Sequence, residues 1–298
     1  MARPRSLFAR RALHTTDRPS STAQWTTLGR AIELRREDPI VTDVDAPIFL
    51  STTSRALLRA SDAAAPLVRR VERAELAGLA TSALCRHRFI DEHLVAAVPD
   101  VAQVLILGAG YDSRAYRFAA ELGQRAVYEV DLAPLSRRKA AIVAAHPDLF
   151  ANPSVRRVEI DFRTQTLESR VAETDFVPGA PTFVVWEGVS MYLTREAVSS
   201  TLAALASLCG SGSVLAMDFW QRVAGPGGYT LRLAVERAMR LIGEPVAFAI
   251  DAGAVSSVLD PHGFDVDDLA DAAEMAARYA TGGRTCDPGM YVVAARLP

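Results

Sequence analysis

Short apolar runs alternate with helical segments between residues 103 and 220, and this alternation restricts the fold more than any other feature of the chain. The runs have the length of buried strands: QVLILG (103–108), RAVYEVD (125–131), SVRRVEIDF (154–162), TFVVWEG (182–188) and SVLAMDFW (213–220). Helical segments at 112–123, 133–146 and 194–210 separate them. Such alternation implies right-handed crossovers and a parallel sheet covered on both faces. Further strands are predicted near 264–268 and in GMYVVAARLP (289–298), so we expect an α/β fold with a mostly parallel seven-stranded sheet.

The chain divides into three parts by pattern. Residues 1–20 hold five arginines and one acidic residue, and we expect a disordered leader there, with an organellar transit peptide as the alternative. Helical periodicity dominates residues 21–99, which predicts a helical N-terminal cap. Residues 100–298 carry the predicted sheet, with an insertion at about 221–250 that is expected to act as a lid.

Charge and cysteine content exclude several classes of protein. The net charge is −2 and no strongly basic half stands out, so we expect no nucleic-acid partner. No apolar stretch approaches the ~18 residues that a membrane span requires, so no membrane partner is expected either. The three cysteines lie far apart without a C-x-x-C pair. This indicates neither a disulfide framework nor a metal site, and it favours a cytoplasmic location.

Glycine or acidic residues stand at the ends of four consecutive predicted strands. The first strand ends in Gly108-Ala109-Gly110, and Asp131, Asp161 and Glu187 come at the ends of the next three. In an open parallel sheet, a ligand binds beyond these carboxyl ends, where the strand order reverses. Carboxylates there suit ribose hydroxyls, an adenine amino group and a cationic amine. Aspartate is also a favoured helix N-cap, so Asp131 and Asp161 have a purely structural alternative.

The glycine turn departs from the fingerprint of dinucleotide-binding proteins. That fingerprint needs a third glycine at position 113, where this chain has Ser113. Several carboxylates would also repel the pyrophosphate of a dinucleotide. These residues therefore favour an S-adenosylmethionine site over a nicotinamide site.

Successive motifs of the chain resemble those of the leucine carboxyl methyltransferase family: VLILGAGYDSRAYRF, YEVDLAPLSRRKAAI, VEIDFR and VWEGVSMYLT. Upstream, LGRAIELRREDPIVTDVDA and RHRFIDEHL are similar to the family's N-terminal motifs, and downstream IGEPVAFAID resembles its bacterial branch. The resemblance covers roughly residues 20–298. It implies a Rossmann-like class I methyltransferase fold with a helical lid, and S-adenosylmethionine as the cofactor of an O-methyltransferase.

The resemblance also implies which residues bind the cofactor: Arg30, Arg86, Gly108, Ala109, Gly110, Asp131, Leu132, Asp161, Phe162 and Glu187. The two glycines are expected to let the backbone approach the methionine part of the cofactor. Asp131 is expected to accept the ribose hydroxyls and Asp161 to hold the adenine amino group. Glu187 is expected to face the ammonium group. No metal ligand is implied.

The motif RHRF supplies the expected partner of the methionine carboxylate. Arg86 matches the family arginine in this position, and a guanidinium suits the task because its planar fork binds a carboxylate bidentately. The family often has threonine between its two arginines, where this chain has His87. Arg88 therefore stays open as the ligand-facing arginine, and solvated ion pairs with Asp91 and Glu92 are the alternative for both arginines.

The chemistry of methyl transfer constrains the acceptor in part. A carboxylate, with a pKa near ~4, is ionised at neutral pH and needs no base, whereas a phenol near ~10 needs one. No catalytic residue is assigned; His87 and Tyr192 are candidates for positioning a substrate, and Tyr192 suits core packing equally well. We expect a small-molecule substrate, namely a carboxylate (or hydroxyl) of a secondary metabolite such as a polyketide.

Three other functions stay open at this point. A protein C-terminal carboxyl group is the acceptor in part of the family. An NAD(P)-dependent oxidoreductase would use a similar strand, glycine turn and helix. A protein that binds the cofactor without turnover would keep the same residues.

Overall fold

The computed structural model describes residues 21–63, 76–161, 164–222, 237, 240 and 245–298. The predicted leader, 1–20, lies outside the described residues, as does most of the predicted lid insertion at 221–250. Both stay predictions, and so does a boundary between cap and sheet domain near residue 99. Among the helices in the described ranges, none combines the length and the apolar character that a membrane crossing requires.

Seven strands form one sheet, and helices lie around it. The strands are β1 (Gln103–Leu107), β2 (Ala126–Asp131), β3 (Val155–Glu159), β4 (Thr182–Trp186), β5 (Val214–Trp220), β6 (Asp265–Ala270) and β7 (Met290–Arg296). The α-helices of the described residues are α1 (Ser21–Glu33), α2 (Ala46–Phe49), α3 (Thr52–Ala63), α4 (Leu76–Ala97), α5 (Arg114–Arg117), α6 (Ala119–Leu122), α7 (Ala133–Ala144), α8 (Leu167–Val171), α9 (Arg195–Leu208), α10 (Ser256–Leu259) and α11 (Ala272–Tyr279). Short 3-10 helices span Ser190–Tyr192, Ala252–Ala254 and Asp260–His262. Each predicted strand is present.

The strand order is β3-β2-β1-β4-β5-β7-β6. Neighbouring strands from β3 to β5 pair in parallel, whereas β7 pairs antiparallel with both β5 and β6. The chain order reverses between β1 and β4, so the loops after these two strands flank the position where open α/β sheets bind ligands. The prediction of a mostly parallel seven-stranded sheet is confirmed.

The central strands are buried on both faces because their sequences are continuous apolar runs. All residues of β1 and β4 are buried. Alternate side chains of β1 point to opposite faces, so Leu105 and Leu107 belong to one core cluster and Val104 and Ile106 to another. Residues of α9 complete the first cluster and residues of α4 the second.

The N-terminal helices lie against the sheet near the reversal point. α4 packs against β4, β5 and β7, and α1 packs against α2, α3 and α4. The predicted helix at 112–123 is instead two short helices, α5 and α6. The reason is Phe118 between them, whose backbone angles, φ −106° and ψ 25°, are not helical.

Candidate active site

The glycine turn follows β1 and is hydrogen-bonded to the end of β2. The amides of Gly108 and Ala109 donate to the Val130 carbonyl oxygen at 2.9 and 3.1 Å. The Gly110 amide donates to Oδ2 of Asp131 at 2.6 Å. Gly108 and Gly110 have φ angles of +66° and +43°, a left-handed backbone that favours glycine. The turn therefore presents exposed backbone beside an acid at the point where the strand order reverses.

Asp131 is half-buried and has capacity for a ligand. Its Oδ1 accepts from the Leu132 amide at 2.6 Å, and each carboxylate oxygen has a second lone pair. Burial raises the pKa of Asp131, against the opposing effect of the two amides that donate to it. Leu132, not Asp131, is the N-cap of α7, and Thr166, not Asp161, is the N-cap of α8. The helix-cap alternative for the two aspartates is therefore wrong.

A buried group of charges lies beside the turn, where α4, α5 and the ends of β4 and β5 meet. Its centre is Arg114, whose side chain has no exposed surface. The Arg114 guanidinium donates to Asp91 at 2.7 Å, to Asp112 at 2.5 Å and to Glu187 at 2.7 Å. We call the whole group the charge network; its members are Arg86, His87, Asp91, Asp112, Arg114, Arg117, Glu187 and Asp218.

The structure distinguishes the two arginines of the RHRF motif. Arg86 is buried and donates through Nε to Glu187 at 3.0 Å and through Nη1 to Asp218 at 2.8 Å. Arg88 is about half exposed and pairs with Glu92 at 2.7 Å on the surface of α4. Arg86 therefore belongs to the site. The alternative of a solvated ion pair applies to Arg88 only.

Glu187 is held in its ionised form by its neighbours. Burial alone would raise its pKa, but His87, Arg114 and Arg86 together hold the pKa of Glu187 well below its usual range. Its Oε1 accepts from Arg86 and its Oε2 from Arg114. The side chain is still 12% exposed, and it lines a pocket described below. A cationic ligand group is thus within the reach of this carboxylate.

His87 is enclosed by the charge network. Burial and then the Arg114 guanidinium lower the pKa of His87, against the opposing effects of Glu187 and Asp91. Its Nδ1 lies 3.0 Å from Oε2 of Glu187, and its Nε2 lies 3.0 Å from Nη2 of Arg117. Nη2 of Arg114 lies 2.8 Å from the same Nδ1, so both a carboxylate and a guanidinium group contact this nitrogen. With 2% of its side chain exposed, His87 holds Glu187 in place rather than facing a substrate.

Arg30 connects α1 to the glycine turn. Its Nε donates to Asp43 at 2.7 Å and its Nη2 donates to the Tyr111 carbonyl oxygen at 2.9 Å. Neither Nη1 of Arg30 nor Nη2 of Arg86 donates to another group within the described part of the chain. Both arginines line the same pocket, so both can offer donors to an anionic ligand group.

That pocket lies between α1 and α4 and has a volume of about 130 Å³. Its walls are mostly apolar and come from Trp25, Leu28, Gly29, Ile32, Ala80, Ala83 and Leu84. Arg30, Arg86 and Glu187 supply its charged lining. An apolar cavity of ~150 Å³ holds benzene in another protein, so this pocket is close to the size that one small ring occupies.

Three further residues were predicted for the site: Asp161, Phe162 and Tyr192. Asp161 is half-buried just beyond β3, and its amide donates to Oε1 of Gln165 at 2.9 Å. Phe162 lies outside the described residues. Tyr192 is half-buried in a 3-10 helix and packs against a cluster that includes Met191 and Trp220. Across the described ranges, no three His, Cys, Asp or Glu side chains are grouped so as to hold a metal ion.

Comparison with known proteins identifies the family. The family model for leucine carboxyl methyltransferases matches residues 23–206, which include the glycine turn and most of the charge network. The chain belongs to this family. A relative from Mycobacterium bovis, named "Putative S-adenosyl-L-methionine-dependent methyltransferase", is 32% identical over 212 residues. The match covers 68% of this chain but only 65% of that protein's length.

Solved structures share the fold at low sequence identity. A "putative methyltransferase" from Thermobifida fusca has a TM-score of 0.58 at 14% identity, over 95% of this chain and 96% of that one. A duf574 family protein from Streptomyces avermitilis has a TM-score of 0.57 at 16% identity, over 91% and 97% of the two chains. The predicted Rossmann-like class I methyltransferase fold is thereby confirmed, apart from its lid.

Two central residues of this family member's site carried no prediction from the sequence. Arg114 joins three carboxylates, and Asp218 of β5 accepts from Arg86 and, at 2.6 Å, from the Gly188 amide. A signal exists for Asp218, since it is a lone carboxylate inside the apolar run VLAMDFW. A buried charge needs a partner, so such a residue indicates a buried cation nearby. Arg114 stands in an arginine-rich sequence and has no comparable signal.

Asp45 leads to a prediction about stability and pH. Burial, and then the neighbouring Asp43 carboxylate, raise the pKa of Asp45 to about 6 from 3.8. A raised folded-state pKa favours folding below pH 3.8, and this contribution is lost as the pH rises through 6. We expect Asp45→Asn to increase the free energy of unfolding by about 1–3 kcal/mol at pH 7.5 and by much less at pH 4, in denaturant titrations.

Asp43→Asn is the matched control with the opposite sign. Burial opposes ionisation of Asp43, but Arg30, together with Arg117 and further neighbours, outweighs it, and the pKa of Asp43 falls to about 2. Its contribution to stability is present above the unfolded-state pKa of 3.8 and is lost as the pH falls through 2. Asp43→Asn is expected to destabilise the protein at pH 7.5. Equal effects of the two substitutions would contradict the assigned electrostatics.

Proposed function

We propose that this chain is an S-adenosylmethionine-dependent O-methyltransferase that methylates a carboxylate, or a hydroxyl, of a small molecule. The observation that carries the proposal is the arrangement at the strand-order reversal: a glycine turn joined to Asp131, beside a buried network that holds Glu187 ionised. Family membership and the names of its relatives support the same activity. The proposed acceptor, a secondary metabolite such as a polyketide, rests on the family resemblance and on the ring-sized apolar pocket.

The residues present fit the cofactor. Exposed backbone at Gly108 lets a ligand approach where a side chain would not fit, because a Cβ there would lie 2.4 Å from Val189 Cγ2. Asp131 would accept the ribose hydroxyls, Arg86 and Arg30 would bind the methionine carboxylate, and Glu187 would face the ammonium group. When bound, S-adenosylmethionine supplies a methyl group on a positively charged sulfur.

The protein's own groups suit an acceptor that is already ionised. His87, the histidine of the site, is buried, has a lowered pKa and is engaged with Glu187, Arg114 and Arg117. Glu187 is paired with two guanidinium groups, so its basicity is low. A carboxylate acceptor needs only orientation and exclusion of water, and orientation alone can contribute ~7–11 kcal/mol. The apolar pocket between α1 and α4 would orient the acceptor and keep water out.

The first experiment is calorimetric titration with S-adenosylhomocysteine, with NAD and NADP titrated separately. Binding of S-adenosylhomocysteine alone supports the proposal, and binding of a nicotinamide nucleotide alone supports the oxidoreductase. A screen of aromatic acids and matched phenols for methyl transfer follows. A methyl ester releases methanol in mild alkali and a methyl ether does not, which separates carboxylate from hydroxyl acceptors. Cofactor binding without turnover on any acceptor, including peptides with a free C-terminal leucine, would favour a non-catalytic binding protein.

Asp131→Ala is expected to weaken S-adenosylhomocysteine binding by about 1–3 kcal/mol, since it removes an acceptor and leaves two amides without their partner. Asp161→Ala is expected to act in the same range. Asp267→Ala, which removes an exposed strand carboxylate paired with Arg296, is the control and should leave affinity unchanged. Wild-type affinity in both site variants would contradict the assignment.

Gly29→Leu tests the apolar side of the pocket, whose charged side, Arg30, Arg86 and Glu187, is assigned to the cofactor. Gly29 lies within α1 and lines the pocket, and a Cβ there meets nothing within 4 Å among the described residues, so a larger side chain has room to start into the pocket. Leucine is also a better helix former than glycine by about 0.8–1 kcal/mol. We expect a higher KM for the acceptor with an unchanged Kd for S-adenosylhomocysteine. An unchanged KM would place the acceptor elsewhere.

A further inference from the structure

Two cysteines that are distant in sequence lie side by side behind the site. Cys286 packs against the core cluster that contains Cys85, and both cysteines are free. Cys85 is buried in α4 and directly precedes Arg86. Cys286 is half-buried in the loop at 281–289 that leads into β7. The third cysteine, Cys209, is buried in the core cluster on the other face of the sheet.

The loop that carries Cys286 is fastened to α4 and α1. The Asp287 amide donates to Ser82 Oγ at 2.7 Å and to the Gly78 carbonyl oxygen at 3.2 Å. Arg284 pairs with Glu33 at the end of α1 at 2.9 Å. These contacts on either side of Cys286 hold the loop against the face of α4 that carries Gly78, Ser82 and Cys85, since residues spaced by three or four share one face of a helix.

The two thiols differ in their reactivity. The hydrogen bond from Cys85, aided by Ser82 and the Arg284 charge, lowers the pKa of Cys286 against the opposing effects of burial and Asp287. The same contact and its burial raise the pKa of Cys85. A partly exposed thiol of lowered pKa beside a second thiol of raised pKa is the arrangement of oxidation-sensitive cysteines.

We propose that Cys85 and Cys286 form an oxidation site at which a hydroperoxide converts the two thiols to a disulfide. The Cys286 thiolate attacks one peroxide oxygen; an S–O bond forms, the O–O bond breaks, and with hydrogen peroxide the other oxygen leaves as hydroxide. The hydroxide takes the Cys85 proton. The Cys85 sulfur then attacks the sulfenic sulfur, the S–S bond forms, and the S–O bond breaks to release water after protonation. Two thiols lose two electrons, and one hydrogen peroxide is reduced to two waters.

The disulfide would change the charge network. For the disulfide to form, the sulfurs must approach to about 2.0 Å, which draws α4 and the loop together. Arg86, the next residue, holds Glu187 at 3.0 Å and Asp218 at 2.8 Å, so a shift of α4 weakens these contacts. This consequence rests on the proposed function. We expect the oxidised protein to bind S-adenosylhomocysteine about tenfold more weakly, the value of one hydrogen bond to a charged group.

The test uses the full chain, treated with increasing hydrogen peroxide, alkylated in denaturant and digested with trypsin. Cys85 lies in the peptide 74–86, Cys286 in 285–296 and Cys209 in 196–222. The expected result is a disulfide between the first two peptides, cleaved by dithiothreitol, while Cys209 stays alkylatable. Cys286→Ser is expected to leave Cys85 reduced, and Cys209→Ser, the matched control, to form the disulfide as the wild type does. In Cys85→Ser, Cys286 is expected to proceed to sulfinic acid.

Two results would overturn the proposal. One is sulfinic acid at Cys286 of the wild type without the linked peptides. The other is loss of Cys209 at the same rate as Cys286. Equal affinity of the reduced and disulfide forms for S-adenosylhomocysteine would overturn the effect on the site. If neither form bound S-adenosylhomocysteine, the proposed function would fail, while the peptide analysis would still decide the oxidation site.

Discussion

Arg114→Met is expected to lower the free energy of unfolding by about 3–5 kcal/mol, because it leaves buried carboxylates without their cation. Arg114 donates to Asp91, Asp112 and Glu187, and its side chain has no exposed surface to let water replace these contacts. Methionine has a similar length and fills the space, so the loss reports on charge rather than on a cavity. Denaturant titration at neutral pH measures it. S-adenosylhomocysteine binding should also be lost, since Glu187 loses one of its two guanidinium partners.

The pH dependence of the stability loss in Arg114→Met tests whether the loss comes from the buried carboxylates. Burial opposes ionisation of the three carboxylates, but neighbouring positive groups lower the pKa of each. Their contribution to stability is present above the pKa values of the unfolded state and is lost as the pH falls through the lower folded-state values. The difference between wild type and Arg114→Met should therefore shrink below pH ~4.

Arg88→Met is the matched control for this substitution. Arg88 makes one ion pair, with Glu92, and both side chains are about half exposed. Exposed pairs contribute about 0–1 kcal/mol, so this variant should be close to wild type. Equal losses in the two variants would mean that the buried network does not stabilise the fold.

Gly108→Ala is expected to destabilise the protein by about 2–4 kcal/mol and to abolish S-adenosylhomocysteine binding. Gly108 has a φ of +66°, and a Cβ there would lie 2.4 Å from Cγ2 of Val189. Valine is branched at Cβ and has few alternative rotamers, so the loop after β4 must move away. That loop follows Glu187, and its displacement disturbs both sides of the site. Thermal unfolding and calorimetry measure the two effects.

Gly263→Ala separates the clash from the backbone strain. Gly263 also has a positive φ, +81°, but a Cβ there would meet its nearest neighbour, a Leu297 methyl group, at an ordinary 3.5 Å. The cost of a left-handed backbone alone is about 1–2 kcal/mol. Val189→Ala should partly restore stability to Gly108→Ala by removing the clashing methyl group. If Val189→Ala does not restore stability to Gly108→Ala, backbone strain alone accounts for the loss of stability.

The sequence predicts the strands well because their signal is local. Runs such as QVLIL and TFVVW are buried on both faces, so nearly every residue in them is apolar. The turn after β1 can also be predicted from the sequence, because a left-handed backbone at Gly108 and Gly110 favours glycine. The family was identifiable for the same reason: these local requirements recur in a fixed order along the chain.

Pairing of charges, in contrast, depends on contacts between distant segments. Arg86 and Arg88 are two residues apart and chemically identical, yet one faces Glu187 and Asp218 and the other faces solvent. Asp43 and Asp45 are also two residues apart, yet the pKa of Asp43 falls to about 2 and that of Asp45 rises to about 6.

By itself, the sequence determined the strands, the glycine turn and the family, since each depends on residues adjacent along the chain. Only the tertiary structure decided that Arg114 and Asp218 join the site and that Cys85 meets Cys286. The physical reason is that electrostatic energy and thiol contact depend on distance in space and on the exclusion of water. Neither quantity exists until α4, β4, β5 and the loop before β7 are packed together.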